Sequence, residues 1–459
     1  MTTTFEHVHA PLLRVVGDDT HVPLVTGEQV RYANLDYAAS APCLRHVADV
    51  VQQVLPLYAS VHRGAGYLSG LCTDLYERAR ATVAAFVGAG PDDVTVLTRN
   101  TTDALNLLAS CVPEGRGDVL TLDLEHHANL LPWRRGEHRH VPAGRTVAAT
   151  VDALGAALRR RRTALLAVTG ASNVTGETLP LAEIVAVAHD AGARVVVDAA
   201  QLAPHRRVDV AATGVDYLAL SGHKLYAPFG SGVLVGRRDW LDAAPPYLAG
   251  GGAVREVTAG GARWAAAPAR HEAGTPNLVG AVALAAACEA LADLPDGALQ
   301  QHDRRLRDRL VSGLGVLPGV RVLRFFADHA DHADPVGVVA FDVDGVPAGK
   351  VAAYLSAEHG IGVRDGRFCA HPALQRLTAG EGAVRASIGV GTTAADVDRL
   401  VAGLTRLVTV GERSRYAEVD GRWSPVADPR PASSAHGLLS VLGADVSGAV
   451  GGSPCGTAA

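Results

Sequence analysis

Between about residues 91 and 235, short apolar runs alternate with stretches whose apolar positions recur at helical spacing. The runs at 94–97, 119–122, 165–168, 195–197 and 217–220 lack the apolar/polar alternation of a half-solvated strand. They read as strands buried on both faces. Helical spacing follows at 101–110 and 181–190, and at 151–158 just before Arg159-Arg160-Arg161-Arg162, whose cations suit a helix C-terminus. This β-α alternation predicts an α/β fold with a mostly parallel sheet between layers of helices. Ligands of such sheets bind at the carboxyl ends of the strands.

A Gly-rich stretch at 249–261 separates this region from the C-terminal part of the chain. A helix at 278–294 leads to a smaller α+β unit, with strands at 336–343 and 384–390 and helices at 348–359 and 394–409. From Tyr416 onward the periodicity fades and Pro, Ser and Gly dominate. The expected plan is an N-terminal segment (1–32), a large domain (33–290), a small C-terminal domain (291–415) and a mobile tail (416–459). The His-Ala-Asp repeats at 327–334 carry metal-ligating side chains, but no further ligand cluster accompanies them. They read as a solvated loop, and no metal site is expected.

With 459 residues the chain exceeds one core, and 48% hydrophobic against 19% charged residues suits a packed globule. The net charge of −5, without a basic patch, argues against nucleic-acid binding. No apolar stretch reaches membrane-spanning length, and residues 1–6 lack the charge and apolar run of a signal peptide, so a cytoplasmic location is expected. Six cysteines without a CxxC pair indicate neither a disulfide framework nor a zinc site.

Candidate chemistry sits where the predicted strands end. Ser221-Gly222-His223-Lys224 follows one strand, and Asp198-Ala199-Ala200-Gln201 closes another. A lysine and a carboxylate on neighbouring strand ends are what pyridoxal phosphate requires. The amine condenses with the aldehyde, and the carboxylate keeps the pyridinium nitrogen protonated. Thr98-Arg99-Asn100-Thr101-Thr102-Asp103 opens a helix after a strand, which makes either an anion cradle or an ordinary N-cap. Glu125-His126-His127-Ala128-Asn129 offers an imidazole to stack on a ring, and Ser172-Asn173-Val174-Thr175-Gly176 offers an amide or simply a turn.

These motifs, with Leu35-Asp36-Tyr37-Ala38-Ala39-Ser40, Val61-His62-Arg63-Gly64, Pro132-Trp133, Glu272-Ala273-Gly274-Thr275-Pro276-Asn277 and Val384-Arg385-Ala386-Ser387, resemble the class V aminotransferase family of fold-type I enzymes. Within it the chain is most similar to group II cysteine desulfurases and selenocysteine lyases, from about Asn34 to Leu407. The resemblance implies Lys224 as the Schiff-base lysine and Asp198 as partner of the pyridinium nitrogen. Gln201 and Asn173 would meet the phenolic oxygen, and His126 would stack on the ring. Thr101, Thr102, Ser221 and His223 would hold the phosphate, with Thr275 reaching the phosphate of a second subunit in a homodimer. Arg385 would clamp the substrate carboxylate, with Arg364, His62 and Asn173 also on the substrate side.

The resemblance also places Cys369, in Arg364-Asp365-Gly366-Arg367-Phe368-Cys369-Ala370, as the nucleophile that takes sulfur from an amino-acid substrate for a sulfur-acceptor protein. Four departures stand out. Arg367-Phe368 replaces the usual His-His, Asp365 a Thr, Ala227 a Gly, and His271 an aromatic. A cysteine desulfurase, or a related carbon–sulfur or carbon–selenium lyase, is therefore the first expectation. The alternative is a class V aminotransferase, epimerase or other lyase with Cys369 incidental. A non-catalytic binding scaffold is a third reading, against which Lys224, Asp198 and Arg385 all argue.

Overall fold

The computed structural model describes residues 10–328 and 334–431. Residues 329–333 of the His-Ala-Asp tract and the end of the tail lie outside the described residues. Seven strands build the large sheet: β1 (Asp93–Thr98), β2 (Asp118–Leu122), β3 (His138–Val141), β4 (Thr163–Thr169), β5 (Arg194–Asp198), β6 (Tyr217–Ser221) and β7 (Gly232–Arg237). Their order across the sheet is β1-β7-β6-β5-β4-β2-β3. All neighbours run parallel except β7, which is antiparallel to both β1 and β6. The intervening residues 222–231 are too few for the crossover that a parallel return needs.

Side-chain alternation explains why these strands looked uniformly apolar. Leu166, Val168, Val195, Val197, Leu218 and Leu220 join one core, and Leu165, Ala167, Val196, Tyr217 and Ala219 join the core on the opposite face. The helix Leu181–Asp190 falls on its expected bounds, and Thr101–Cys111 extends one residue past them. The helix Leu278–Ala292, rich in alanine and largely buried, packs against Tyr67–Phe86.

The smaller unit holds β8 (Val320–Val322), β9 (Val338–Val343), β10 (Arg364–Gly366) and β11 (Ala383–Ser387), in the order β8-β9-β11-β10, all antiparallel. Helices Ala348–His359 and Ala394–Thr409 cover it. Ala33 and Leu35 belong to this unit's core, and Ala33–Asn34 pairs in parallel with Ile361–Gly362. The start of the expected large domain therefore packs with the small unit.

Two segments differ from expectation. The Gly-rich stretch contains a hairpin, Val254–Thr258 with Gly261–Trp264. Residues 416–425, expected to be mobile, form a second hairpin, Tyr416–Val419 with Arg422–Pro425. Its turn is Asp420-Gly421, with φ of 51° and 72°. Both central residues are left-handed, which is how an Asp-Gly pair closes a two-residue hairpin. Among the described residues no helix is long and apolar enough to cross a membrane, and no group of three or more metal-ligating side chains is found.

Candidate active site

Five strands send their following residues to one cavity of about 300 Å³, small among ligand sites. The turn after β6 brings Lys224, and β5 ends on Asp198. Burial lowers the Lys224 ammonium pKa to about 8, although the nearby Asp198 and Cys369 oppose the shift. Burial likewise raises the Asp198 pKa, against Lys224 and a hydrogen bond from the Ala200 amide to Oδ1 (3.0 Å). No hydrogen bond reaches the second Asp198 oxygen among the described residues. A carboxylate in that state suits a cationic N–H.

The helix after β1 supplies the opposite wall. Asn100 caps it, accepting from the Asp103 amide at 2.9 Å. The Thr101 amide donates to Ser221 Oγ (2.8 Å), and the two hydroxyls meet at 2.7 Å. Gly232, the first residue of β7, makes this closure possible. An added Cβ there would stand 2.6 Å from Asn100 Cα and 2.8 Å from Leu220 O. Thr101, Thr102, Ser221 and His223 all line the cavity beside this helix N-terminus. Hydroxyls at the positive end of a helix fit a phosphate. Burial, reinforced by Lys224, lowers the His223 pKa to about 4.

Past β2, His126 Nδ1 accepts from the Ala128 amide at 3.0 Å. Burial, then the charges of Lys224, His127 and Arg385, push its pKa down to about 3. The ring is therefore neutral with its proton on Nε2. Just before it, burial raises the Glu125 carboxyl to about 8, while Asn129 Nδ2 (2.7 Å) and the Thr169 amide (3.0 Å) donate to it.

The small unit closes the cavity. From β11, Arg385 donates to Asp36 Oδ1 (3.0 Å) and to the Asn173 carbonyl (2.9 Å), and its buried Nε has no partner among the described residues. Its guanidinium lies 5.1 Å from the Phe368 ring centre. Asn173 Nδ2 donates to the Phe368 carbonyl at 2.8 Å. Cys369 and Arg364 line the same cavity. Phe368 and Cys369 both adopt left-handed φ, 51° and 53°, and the Cys369 carbonyl accepts from the His127 amide at 2.8 Å.

Three expected residues stand elsewhere in the single chain. Gln201 is buried and does not line the cavity, but its amide donates to the carbonyl of Ala38, which does (2.8 Å). His62 pairs with Glu77 (2.9 Å) in a separate pocket beside Arg63, and Thr275 lies in another with Asn277 and Tyr247. Sequence reasoning gave no role to Asp36, although it stands in the motif at 35–40, nor to Phe368. The odd His271 is structural: Nε2 bonds the Leu241 carbonyl at 2.8 Å, and Nδ1 accepts from the Tyr247 amide at 3.2 Å. Arg367 turns away, donating to the Gly380 carbonyl at 3.1 Å.

A strand-end lysine facing a buried carboxylate, with a hydroxyl-lined helix N-terminus beside them, makes this a fold-type I α/β enzyme. The chain belongs to the class-V aminotransferase family, whose model matches residues 33–400 and whose members use pyridoxal phosphate. It is 39% identical over 393 residues to the probable cysteine desulfurase 2 of Mycobacterium leprae, covering 83% of this chain and 92% of that one. To the cysteine desulfurase of Dickeya dadantii it is 38% identical over 413 residues, covering 87% and 97%. The crystal structure of the Escherichia coli cysteine desulfurase CsdA superimposes with a TM-score of 0.73 at 36% identity, over 82% of this chain and 94% of that one.

Proposed function

We propose that this protein is a pyridoxal phosphate-dependent cysteine desulfurase, which converts L-cysteine to L-alanine and takes the sulfur onto Cys369 as a persulfide. The observation that carries the reading is the place of Cys369 on the same cavity wall system as Lys224, Asp198 and Arg385. The relatives named cysteine desulfurase, at 34–39% identity over most of their length, support it.

Lys224 would anchor the cofactor, Asp198 would meet its ring nitrogen, His126 would cover the ring, and Thr101, Thr102, Ser221 and His223 would hold its phosphate. When bound, the cofactor supplies an electron sink for charge developing on the substrate's α-carbon. Arg385 binds the substrate carboxylate with the face that Asp36 and Asn173 leave open. Lys224, with a pKa near 8, is close to balanced between taking and giving a proton at neutral pH. The Cys369 thiolate attacks the substrate sulfur. An S–S bond forms, the Cβ–S bond breaks with its electron pair left on carbon, and protonation there completes alanine.

A sulfur-acceptor protein would then unload Cys369. A second copy of the chain would supply Thr275 and His62 to this cavity. The exposed apolar side chains Leu55, Tyr58, Tyr67 and Leu68, which flank His62 and Arg63 in sequence, support such a homodimer. The test is to supply purified enzyme with L-cysteine and measure alanine and sulfide. Alanine formation that Cys369→Ser abolishes bears the reading out. Transamination or racemisation of another amino acid, with none of L-cysteine consumed, refutes it.

A further inference from the structure

The family match ends at residue 400, yet the chain continues in the hairpin 416–425, which lies along the helix Ala348–His359. The hairpin is tied down at its base. Glu358, buried in that helix, accepts from the amides of Arg413 (3.0 Å) and Ser414 (2.9 Å) and from the Tyr416 hydroxyl (3.2 Å). Lys350 pairs with Glu412 at 2.7 Å and stands 6.0 Å from the centre of the Trp423 ring.

The same helix packs on β10. Successive residues of a strand point to opposite sides, so Arg364 enters the cavity while Asp365 faces back toward the helix. Gly349 is where the layers meet. A Cβ added there would stand 2.8 Å from Trp423 Cδ1 and 3.3 Å from Asp365 Oδ2. Immediately past β10 the chain turns through Gly366, Phe368 and Cys369 with φ of 99°, 51° and 53°. Two non-glycine residues in sparsely populated conformations persist only where their surroundings hold them.

We propose that Trp423 is a positioning residue for Cys369: seated against Gly349, the hairpin fixes the back of β10 and with it the Phe368-Cys369 turn. The proposal rests on the reading of Cys369 as sulfur acceptor. Its test does not depend on turnover. In the full-length enzyme loaded with pyridoxal phosphate, the rate at which iodoacetamide alkylates Cys369 is followed by peptide mass for Trp423→Ala, Trp423→Phe and Gly349→Ala. Thermal melting and the kcat and KM for alanine formation are measured alongside. Gly349→Ala is the safeguard against misfolding, because alanine favours the helix while its methyl displaces Trp423.

Trp423→Ala and Gly349→Ala are expected to raise the alkylation rate about threefold or more and to lower kcat rather than raise KM, with melting still cooperative. Trp423→Phe is expected to return the rate to within about twofold of wild type. Unchanged alkylation in the alanine variants, or a shift in melting alone, overturns the proposal. If L-cysteine yields no alanine in the wild type, the desulfurase reading fails, and the alkylation rates still report whether Trp423 holds Cys369.

Discussion

Arg385 and Phe368 lie face to ring, the guanidinium 5.1 Å from the ring centre. The contact joins two functions, because Arg385 is the proposed carboxylate clamp and Phe368 precedes the proposed sulfur acceptor. An arginine over an aromatic face gains about 0.5–2 kcal/mol, more when the pair is dry, as here. Replacing the usual histidine with Phe368 thus exchanges a titratable group for one that braces the clamp.

Phe368→Ala should therefore raise KM for L-cysteine by roughly 2–30-fold, the loss of one such contact, with a smaller change in kcat. Steady-state alanine formation measures both. A fall confined to kcat would mean that Phe368 serves Cys369 rather than Arg385.

Arg385→Lys should cost more. A lysine cannot hold Asp36, the Asn173 carbonyl and a substrate carboxylate with one planar fork. Losing a charge-assisted hydrogen bond of about 1.5–3 kcal/mol predicts a rise in KM of roughly 10–150-fold. Cofactor content, read by visible absorbance, should stay unchanged.

Lys224→Ala should leave a folded protein in which borohydride reduction yields no lysine–cofactor adduct, as checked by peptide mass. An adduct on another lysine would place the anchoring amine elsewhere.

The cofactor-free protein should show the cost of burying Lys224. Its pKa falls from 10.5 in the unfolded chain to about 8 in the fold, so between these values the unfolded chain binds the extra proton and stability rises with pH. Below pH 8 the full penalty applies, about 3 kcal/mol at most. Lys224→Met should thus be more stable than wild type at pH 7, and the advantage should shrink as pH approaches 10.5. Urea unfolding of both proteins at the two pH values gives the difference, in which groups remote from Lys224 cancel.

Tyr67 is 87% exposed, and Leu68 and Leu55 are exposed as well, apolar surface suited to the proposed second copy. Tyr67→Arg should shift the protein toward monomer in light scattering and reduce activity per chain, since Thr275 and His62 would then have no cavity to complete.

Locality decided which parts of the molecule were legible in the sequence. β4, β5 and β6 were readable because both faces of each are buried in apolar cores, and Asp198 and Lys224 because one ends β5 and the other stands in the turn after β6. β3 was not, because an edge strand reading His-Arg-His-Val carries no apolar run. The helix Ala298–Gly315 escaped notice among its charges, although Leu306, Leu310 and Leu314 mark its buried stripe at four-residue spacing. The Asp420-Gly421 turn was present in the sequence, but its composition resembled the tail behind it. The pairing of Asp36 with Arg385 spans 349 positions and exists only once the segment at 33–36 packs against the small unit's sheet, so no local pattern announces it. The Phe368-Cys369 turn is likewise non-local: its two carbonyls accept from Asn173 and from the His127 amide, more than 190 positions away.

Gly232 carries this dependence to a position with no chemistry at all. Beyond its place in the ladder it contributes room: Asn100 crosses above it, and Ser221 reaches Thr101 past it. A tolerance map of this protein would therefore have an unusual signature. Position 201 should accept graded replacements, because Gln201 gives a single hydrogen bond to a backbone carbonyl. Position 232 should accept none. Even a methyl would lift the helix terminus from its seat and reappear as weakened phosphate affinity, with the substrate side untouched.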